Sequence, residues 1–204
     1  MFDTKKHWEN IYTEKKPTEV SWYQPNPGMS LKLIGETGVL KESRIIDVGG
    51  GASLLVDRLL DQGFKHVSVL DISEKALQQS RQRLGPLAEK VNWIVADITV
   101  FAPDLTYGLW HDRAVFHFLT EKSDREKYAA CAAKAIPPGG YLILAAFAKD
   151  GPNQCSNLTV RQYDAGLVRE EFGAGFEIAR EEAETHQTPW GKGQRFNYYL
   201  LRKK

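Results

Sequence analysis

The sequence of 204 residues predicts an α/β fold built on a mostly parallel, doubly wound sheet. Short apolar runs alternate with amphipathic segments along the chain, which is typical of alternating strands and helices. The first run, residues 44–48, leads into three glycines, and the second, residues 66–70, leads into Asp71. Near the C-terminus, two runs over 176–185 and 194–202 predict a closing strand pair with one antiparallel strand.

The individual elements follow from periodicity and from helix-breaking residues. Residues 4–15 predict a helix because Trp8, Ile11 and Tyr12 share one face. Prolines exclude regular helix from the aromatic stretch that follows, and a second helix leads from Leu31 towards the first strand. Beyond the glycines we predict helices over 53–62 and 73–84, strands over 91–95 and 109–113, a helical turn over 116–119, a helix behind residue 123, a strand over 141–147 and a helix over 164–173.

Local signals mark the ends of some of these elements. Ser73 is a predicted helix cap, and Ser123 with Glu126 has the spacing of a capping box. The helix behind it carries a core stripe at spacing 3, 4 and 7, which includes Cys131 as a small core residue. Residues 148–163 form a connection whose length is typical of a functional or mobile loop.

Length and composition predict one domain over residues 1–204, with an N-terminal segment over 1–40 and a core over 41–204. The 27 basic and 26 acidic residues nearly cancel, so no nucleic-acid surface built on net charge is indicated. The polar N-terminus lacks a signal-peptide core, and no run approaches the about 18 apolar residues of a membrane span. The two cysteines indicate no disulfide framework. We expect a cytoplasmic monomer or weak dimer.

The residues after the first two runs predict a nucleoside site. Asp71 lies twenty residues after Gly51, at the tip of the second strand, where a carboxylate can accept both ribose hydroxyls. The dinucleotide fingerprint fails because Leu54 stands where its last glycine belongs. The negative charge of Asp47 would repel a pyrophosphate, whereas it would attract a ligand that carries a positive charge beside its ribose. S-adenosylmethionine, with a sulfonium and an ammonium and no phosphate, meets that description.

With these residues the sequence resembles the class I S-adenosylmethionine-dependent methyltransferases, whose first motif runs apolar-acid-apolar-G-x-G-x-G. Asp47, Gly49 and Gly51 match that motif, and Ser53 stands where the third glycine is usual. The resemblance implies a Rossmann-like seven-stranded sheet of order 3-2-1-4-5-7-6 with one antiparallel strand and an N-terminal helical lid. The Trp-Tyr pair followed by prolines is similar to thiol, thiopurine and halide methyltransferases and to a set of protein-lysine methyltransferases.

The resemblance also implies a set of cofactor-binding residues. Asp97 and Ile98 have the form of the family's adenine-binding motif, in which the acid accepts from the exocyclic amine and the apolar residue lies against the ring. Asp97 could alternatively be a turn cap, and Trp22 could simply anchor its segment to the core. The expected cofactor-binding residues are Trp22, Asp47, Gly49, Gly50, Gly51, Ser53, Asp71, Ile72, Asp97, Ile98 and Asp112.

Methyl transfer from a sulfonium is an in-line displacement that mainly requires alignment and exclusion of water. A thiolate needs little else, whereas an amine must arrive unprotonated and calls for a nearby acceptor. His111 and Asp112 follow the fourth strand and are the candidate catalytic residues. His111 could instead be a hydrogen-bonded strand-end histidine, and Asp112 could hold the cofactor's ammonium. The candidate substrate contacts are Tyr23, Arg113, His117, His186 and Trp190.

Three functions remain open from the sequence. One is a small-molecule methyltransferase acting on a thiol or amine, with a closed pocket under the aromatic N-terminal segment. The others are a protein-lysine methyltransferase with a surface groove and a non-catalytic module that binds the cofactor or another protein. The short chain leaves no room for a separate recognition domain, which favours the first. No metal is expected, because no second cluster at ligand spacing accompanies His111, Asp112 and His117.

Overall fold

A computed structural model describes residues 3–204, which form one seven-stranded sheet with helices on both faces. The helices are α1 (Thr4–Glu14), α2 (Gly28–Thr37), α3 (Leu55–Asp61), α4 (Glu74–Leu84), α5 (Lys122–Ala135) and α6 (Ala165–Phe172). The strands are β1 (Arg44–Val48), β2 (His66–Asp71), β3 (Val91–Val95), β4 (Leu109–Arg113), β5 (Tyr141–Phe147), β6 (Gln154–Cys155), β7 (Leu158–Thr159), β8 (Phe176–Gln187) and β9 (Gly193–Lys203). Short 3-10 helices cover Pro17–Glu19, Gly85–Lys90 and Phe116–Phe118.

The sheet has the strand order β3-β2-β1-β4-β5-β9-β8. Strands β1 to β5 pair in parallel, and β9 runs antiparallel to both of its neighbours. This confirms the predicted order, since the short strands β6 and β7 lie outside the sheet and only shift the numbering. The chain order reverses between β1 and β4, and ligands of open α/β sheets bind beside the carboxyl ends of such strands.

Alternating residues of β1 show how the core is divided. Ile45 packs with α2, α3 and α4 on one face of the sheet, through residues such as Leu33 and Leu59. Ile46 packs with α5 and α6 on the other face, where Tyr128 is fully buried. Both faces are covered, since successive side chains point to opposite sides and most buried residues of the parallel strands are apolar.

The predicted capping box at Ser123 is wrong. Helix α5 begins at Lys122, its N-cap is Glu121, and no side chain caps it. The buried Arg125 explains the earlier start, since its Nη1 donates to the carbonyls of Leu119 and Thr120 and thereby fixes the approach to the helix. In the predicted core stripe of this helix, Tyr128, Ala132 and Ala135 are buried, whereas Cys131 is only partly buried.

The connection over 148–163 contains a small hairpin. Strands β6 and β7 are joined by Ser156 and Asn157, whose φ angles of 51° and 61° match the two-residue turn that favours twisted hairpins. The connection returns to the sheet where Tyr163 donates its backbone N–H to Phe147. The segment is therefore shaped by its own pairing, and it delivers Cys155 to a cavity described below.

The C-terminal hairpin forms one edge of the sheet. Strand β8 has 12 residues and is paired on one side only, to β9. Its register shifts between Ile178 and Arg180, and the solvent side of the strand carries charges such as Glu181. Lys32 and Glu36 of α2 form ion pairs with this strand. Within residues 3–204, no helix has both the length and the apolarity that crossing a membrane requires.

Candidate cofactor and active site

Two adjoining cavities lie at the carboxyl ends of the parallel strands. The large cavity measures about 800 Å³ and the small cavity about 560 Å³, counting the open space at their mouths. Tyr12, Trp22, Gly49 and Arg113 line both cavities and form the junction between them.

The glycines after β1 form the wall of this junction. Gly49 has a φ of 68° and donates its N–H to the carbonyl of Leu70 at 2.7 Å. A Cβ at Gly49 would collide with Val115, and one at Gly51 would lie 2.7 Å from Oδ2 of Asp71. Side chains at these positions would therefore fill the space beside the cavities, which leaves bare main chain facing a ligand.

Asp71 ends β2 and lines the large cavity beside Ile72. The residue is 6% exposed, and Oδ1 accepts a hydrogen bond of 2.8 Å from the N–H of Ser73. Burial raises the pKa of the Asp71 carboxyl to about 7, and the charges of Asp47 and Glu9 raise it further, against the effect of the Ser73 N–H. A buried carboxylate with so little compensation is well placed to accept hydroxyl donors from a ligand.

Asp97 and Ile98 line the large cavity, after β3. Oδ1 of Asp97 accepts both the N–H and the hydroxyl of Thr99, at 2.8 and 2.7 Å. Asp97 is therefore a turn cap that also lines the large cavity, and its contact with an adenine stays a prediction. Ile98 is buried and presents an apolar surface to the same cavity.

Asp47 and His111 are neighbours in the β1–β4 register and line the small cavity. Nδ1 of His111 donates to Oδ1 of Asp47 at 2.7 Å, and Nε2 lies 2.9 Å from Oγ of Ser30 in α2. Both ring nitrogens are thus engaged, as in the alternative of a hydrogen-bonded strand-end histidine. Gly50, Ser53 and Tyr23 also line this cavity, so Tyr23 lies on the side of the glycine loop.

The structure places the Asp112 side chain away from the two cavities. Its carboxylate is fully buried on the α5 side of the sheet and lines neither cavity. It accepts hydrogen bonds from the N–H groups of Val115 and Phe116 at 2.9 and 3.1 Å and from the Tyr128 hydroxyl at 2.7 Å. Burial raises the pKa of Asp112 to about 6, against these donors. The reason is strand alternation, since Asp112 points away from the side on which His111 and Arg113 lie.

Arg113 reaches the junction of the two cavities. Its Nε donates to the Tyr198 hydroxyl at 2.9 Å, and Nη1 donates to the carbonyl of Trp22 at 3.1 Å. The guanidinium carbon lies 4.6 Å from the centre of the Phe196 ring. Nη2 is buried and has no hydrogen-bond partner. Arg113 is therefore a fixed cation at the junction of the two cavities.

Three predicted substrate contacts line neither cavity. His117 is fully buried and accepts from the N–H of Phe147, and burial lowers its pKa to about 3. His186 donates from Nε2 to the carbonyl of Ser21 at 2.7 Å, and burial lowers its pKa too. Trp190 is 59% exposed in the β8–β9 turn. These three residues therefore lie away from the two cavities, and their contact with a substrate stays a prediction.

Two further groups complete the large cavity. Trp8 of α1 meets Trp22 and Phe118 edge to face, with ring centres 5.6 and 5.1 Å apart. Their spacing on one helix face had indicated that Trp8 and Tyr12 belong together, but not which surface they cover. Cys155 lines the same cavity from the β6–β7 hairpin. No local sequence signal places Cys155 there, because its position depends on how a distant loop folds back.

A family model described as a methyltransferase domain matches residues 45–140, from β1 to the turn before β5. That segment contains the glycine loop, Asp71 and Asp97 in the geometry just described. The match covers somewhat less than half of the chain, identifies a methyltransferase domain over those residues and supports the resemblance to the class I S-adenosylmethionine-dependent methyltransferases. Two curated methyltransferases are similar over part of the chain, and their lengths exceed it. The eEF1A lysine and N-terminal methyltransferase of Mus musculus is 25% identical over 55% of this chain and 16% of its own.

The ubiquinone biosynthesis O-methyltransferase of Aromatoleum aromaticum is 26% identical over 70% of this chain and 55% of its own. The chain therefore spans less than two thirds of either relative. The solved structure of the N-methyltransferase NodS of Bradyrhizobium japonicum with S-adenosyl-L-homocysteine aligns with a TM-score of 0.74. It is 15% identical over 98% of this chain and 99% of NodS, so the likeness concerns the fold.

The cofactor of this methyltransferase family, S-adenosylmethionine, fits the described residues. The large cavity offers a carboxylate at Asp71 and an acid-apolar pair at Asp97 and Ile98. The glycines leave open main chain, and Arg113 lines both cavities. Within residues 3–204, no group of three His, Cys, Asp or Glu side chains is placed to hold a metal ion.

Proposed function

We propose that the protein transfers a methyl group from S-adenosylmethionine to a small molecule bound in the large cavity. The observation that carries this proposal is the aromatic cover formed by Trp8, Tyr12 and Trp22, which lines that cavity beside the glycine loop. Trp22 donates from Nε1 to the Tyr12 hydroxyl at 3.2 Å, so α1 and the following turn are joined. A covered cavity suits a small acceptor better than a protein side chain.

Different residues around the large cavity would hold different parts of the cofactor. Asp71 would accept the ribose hydroxyls, Asp97 and Ile98 would hold the adenine, and the glycine loop with Ser53 would flank the methionine part. When bound, S-adenosylmethionine supplies an electrophilic methyl group on its sulfonium. The aromatic cover would exclude water from that methyl group, and its ring faces would attract the positive charge by about 0.5–2 kcal/mol.

A second candidate, protein-lysine methylation, is favoured by the name of the Mus musculus relative. Under that alternative, a lysine side chain would enter through the mouth of the large cavity. A purely binding role for the domain is the third possibility, and it would show no turnover.

A methyl-transfer screen with labelled cofactor tests these alternatives. The full chain is incubated with small thiols, small amines, lysine-containing peptides and a cell lysate. Label on small molecules supports the proposal, whereas label on peptides or lysate proteins alone would favour the protein substrate. Tight cofactor binding without methyl transfer to any of these acceptors would contradict the proposed enzyme activity and favour a purely binding role.

A further inference from the structure

Residues 21–24 contribute to the junction of the two cavities, and we call them the Trp22 segment. Trp22 lines both cavities, and Tyr23 and Gln24 line the small one. All three residues are partly exposed, so part of each is accessible to a ligand. The segment belongs to no helix or strand. Its backbone carbonyls therefore need partners from elsewhere in the fold.

Two side chains of β8 bind the Trp22 segment. Nε2 of His186 donates a hydrogen bond of 2.7 Å to the carbonyl of Ser21. Oε2 of Glu184 accepts a hydrogen bond of 3.3 Å from the side-chain amide of Gln24. One contact holds the backbone of the segment and the other holds a side chain. Neither His186 nor Glu184 lines either of the two cavities.

The pleat of β8 explains why these two residues face the Trp22 segment. Glu184 and His186 are two positions apart, so their side chains point to the same side of the strand. Thr185 and Gln187 point to the other side and are exposed, whereas His186 is buried. Strand alternation therefore directs one side of the C-terminal hairpin towards the segment and leaves the other side in solvent.

The hydrogen bonds of Glu184 lead back to the same segment through β9 and β4. Oε2 of Glu184 accepts from the Tyr198 hydroxyl at 2.9 Å, and that hydroxyl accepts from Nε of Arg113 at 2.9 Å. Nη1 of Arg113 in turn donates to the carbonyl of Trp22 at 3.1 Å. Side chains of three strands thus form one connected network with the Trp22 segment, and this network attaches the segment to the sheet.

We propose that His186 and Glu184 are positioning residues for methyl transfer, which hold the Trp22 segment in place without touching the cofactor or the acceptor. This inference rests on the proposed function, in which the Trp22 indole is part of the cover over the reacting methyl group. Nε1 of that indole donates to the Tyr12 hydroxyl at 3.2 Å, so a displaced segment would also disturb the cover. A misplacement of about 1 Å at the reacting atoms can slow a reaction about a hundredfold.

The strand order predicts which kinetic quantity depends on these residues. Asp71 and Asp97, which are proposed to hold the ribose and the adenine, follow β2 and β3. Strand β8 forms the edge of the sheet opposite to β3. Loss of the His186 donor should therefore lower the kcat of methyl transfer and raise the KM of the acceptor. The dissociation constant of S-adenosyl-L-homocysteine, measured by calorimetry, should change less than about threefold.

The variants His186→Phe and His186→Gln separate the hydrogen bond from packing. Phenylalanine keeps a ring beside Phe196 but has no donor, whereas glutamine restores an N–H at the same number of bonds from Cβ. With the small acceptor that takes up most label in the screen above, His186→Phe should lower kcat by about tenfold or more, and His186→Gln should recover most of it. Hydrogen–deuterium exchange at residues 21–24 should be faster in His186→Phe and near that of the unmodified protein in His186→Gln.

The variant Glu184→Gln tests the second residue. It removes the negative charge that strengthens the hydrogen bonds from Tyr198 and Gln24. We expect a lower kcat and faster exchange at residues 21–24. Glu181→Gln makes the same chemical change at an exposed position of β8 and is the matched control. It should alter neither quantity.

Three results would overturn the positioning role and leave methyl transfer established. Unchanged kcat and acceptor KM in His186→Phe would show that transfer does not depend on this hydrogen bond, even if the melting temperature falls. Equal losses in His186→Phe and His186→Gln would assign the effect to the imidazole ring and not to its donor. Unchanged exchange at residues 21–24 would show that the hydrogen bond does not hold the segment. If the unmodified protein transfers no methyl group in the screen above, the proposed function fails, and the positioning role fails with it.

Discussion

The carboxylate of Glu9 in α1 accepts a hydrogen bond of 2.8 Å from the backbone N–H of Glu74, the first residue of α4. The same carboxylate accepts from the Ser73 hydroxyl and the Lys75 N–H, each at 3.2 Å. A negative charge is stabilised at a helix N-terminus. Because Asp71 ends β2 just before this helix, the aromatic cover is attached directly to the strand end that carries the proposed ribose acceptor.

Replacing Glu9 by alanine should loosen this attachment. The N-terminus of α4 would lose an acceptor, which typically costs about 0.5–2 kcal/mol. We expect a lower melting temperature, weaker cofactor binding and slower methyl transfer. Glu14→Ala, at the exposed end of the same helix, is the control and should leave all three unchanged. If both variants match the unmodified protein in melting temperature, cofactor binding and methyl transfer, the contact of Glu9 with α4 contributes to none of them.

Asp71→Asn should weaken S-adenosylmethionine binding by at least about tenfold, because an amide replaces a charged acceptor of hydroxyl bonds. Calorimetry measures the dissociation constant, and circular dichroism checks that the fold is retained. Asp104→Asn, at an exposed loop position, is the control. An unaltered affinity in Asp71→Asn would remove this carboxylate from the cofactor site.

Cofactor binding should depend on pH through the same carboxyl. Burial raises the pKa of Asp71 to about 7, so near pH 6 it must lose a proton when hydroxyl donors bind, whereas near pH 8 it is already ionised. Affinity should therefore be about tenfold weaker at pH 6 than at pH 8. The sign for stability is opposite, since a raised acid pKa makes the ligand-free fold lose stability as the pH rises from about 4 to about 7. Asp71→Asn should flatten the binding profile, and a persisting slope would point to another group.

Asp112→Asn should act on stability and not on cofactor binding. The carboxylate accepts three donors in a fully buried site, and an amide cannot accept from all of them. We expect a loss of about 1.5–3 kcal/mol in the free energy of unfolding, measured by denaturant titration. Folded Asp112→Asn should bind S-adenosylmethionine normally. A selective loss of cofactor affinity at unchanged stability would restore Asp112 to the site.

Two tryptophans provide a matched pair for the aromatic cover. Trp8→Ala removes an indole that lines the large cavity and contacts Trp22 and Phe118. It should raise the KM of the acceptor and slow methyl transfer, because water would reach the methyl group. Trp190→Ala removes an exposed indole and should leave transfer unchanged. Steady-state kinetics measures the KM and the transfer rate of both variants. A large effect of Trp190→Ala would indicate that the acceptor binds outside the large cavity.

The sequence predicts best what local chemistry determines. The glycines after β1 and the acid ending β2 were placed correctly, since a tight turn beside a strand end leaves few alternatives for the backbone. The sequence does not reveal on which side of the sheet Asp112 lies, because the orientation of a strand residue changes with a shift of one position and its neighbours in sequence are equally polar. The sequence assigns Cys155 no role, because only long-range packing brings its hairpin to the cavity.

The edge strand β8 also affects whether two copies of this chain can associate through their sheets. An edge strand offers a row of unpaired backbone groups to any strand that approaches. Here the register shift near Arg180 interrupts that row, and Glu181 with its charged neighbours would bring like charges together in a paired edge. Lys32 and Glu36 add further charge from α2. Two molecules would therefore find no continuous backbone template at this edge, which resists the growth of ordered aggregates in a concentrated solution.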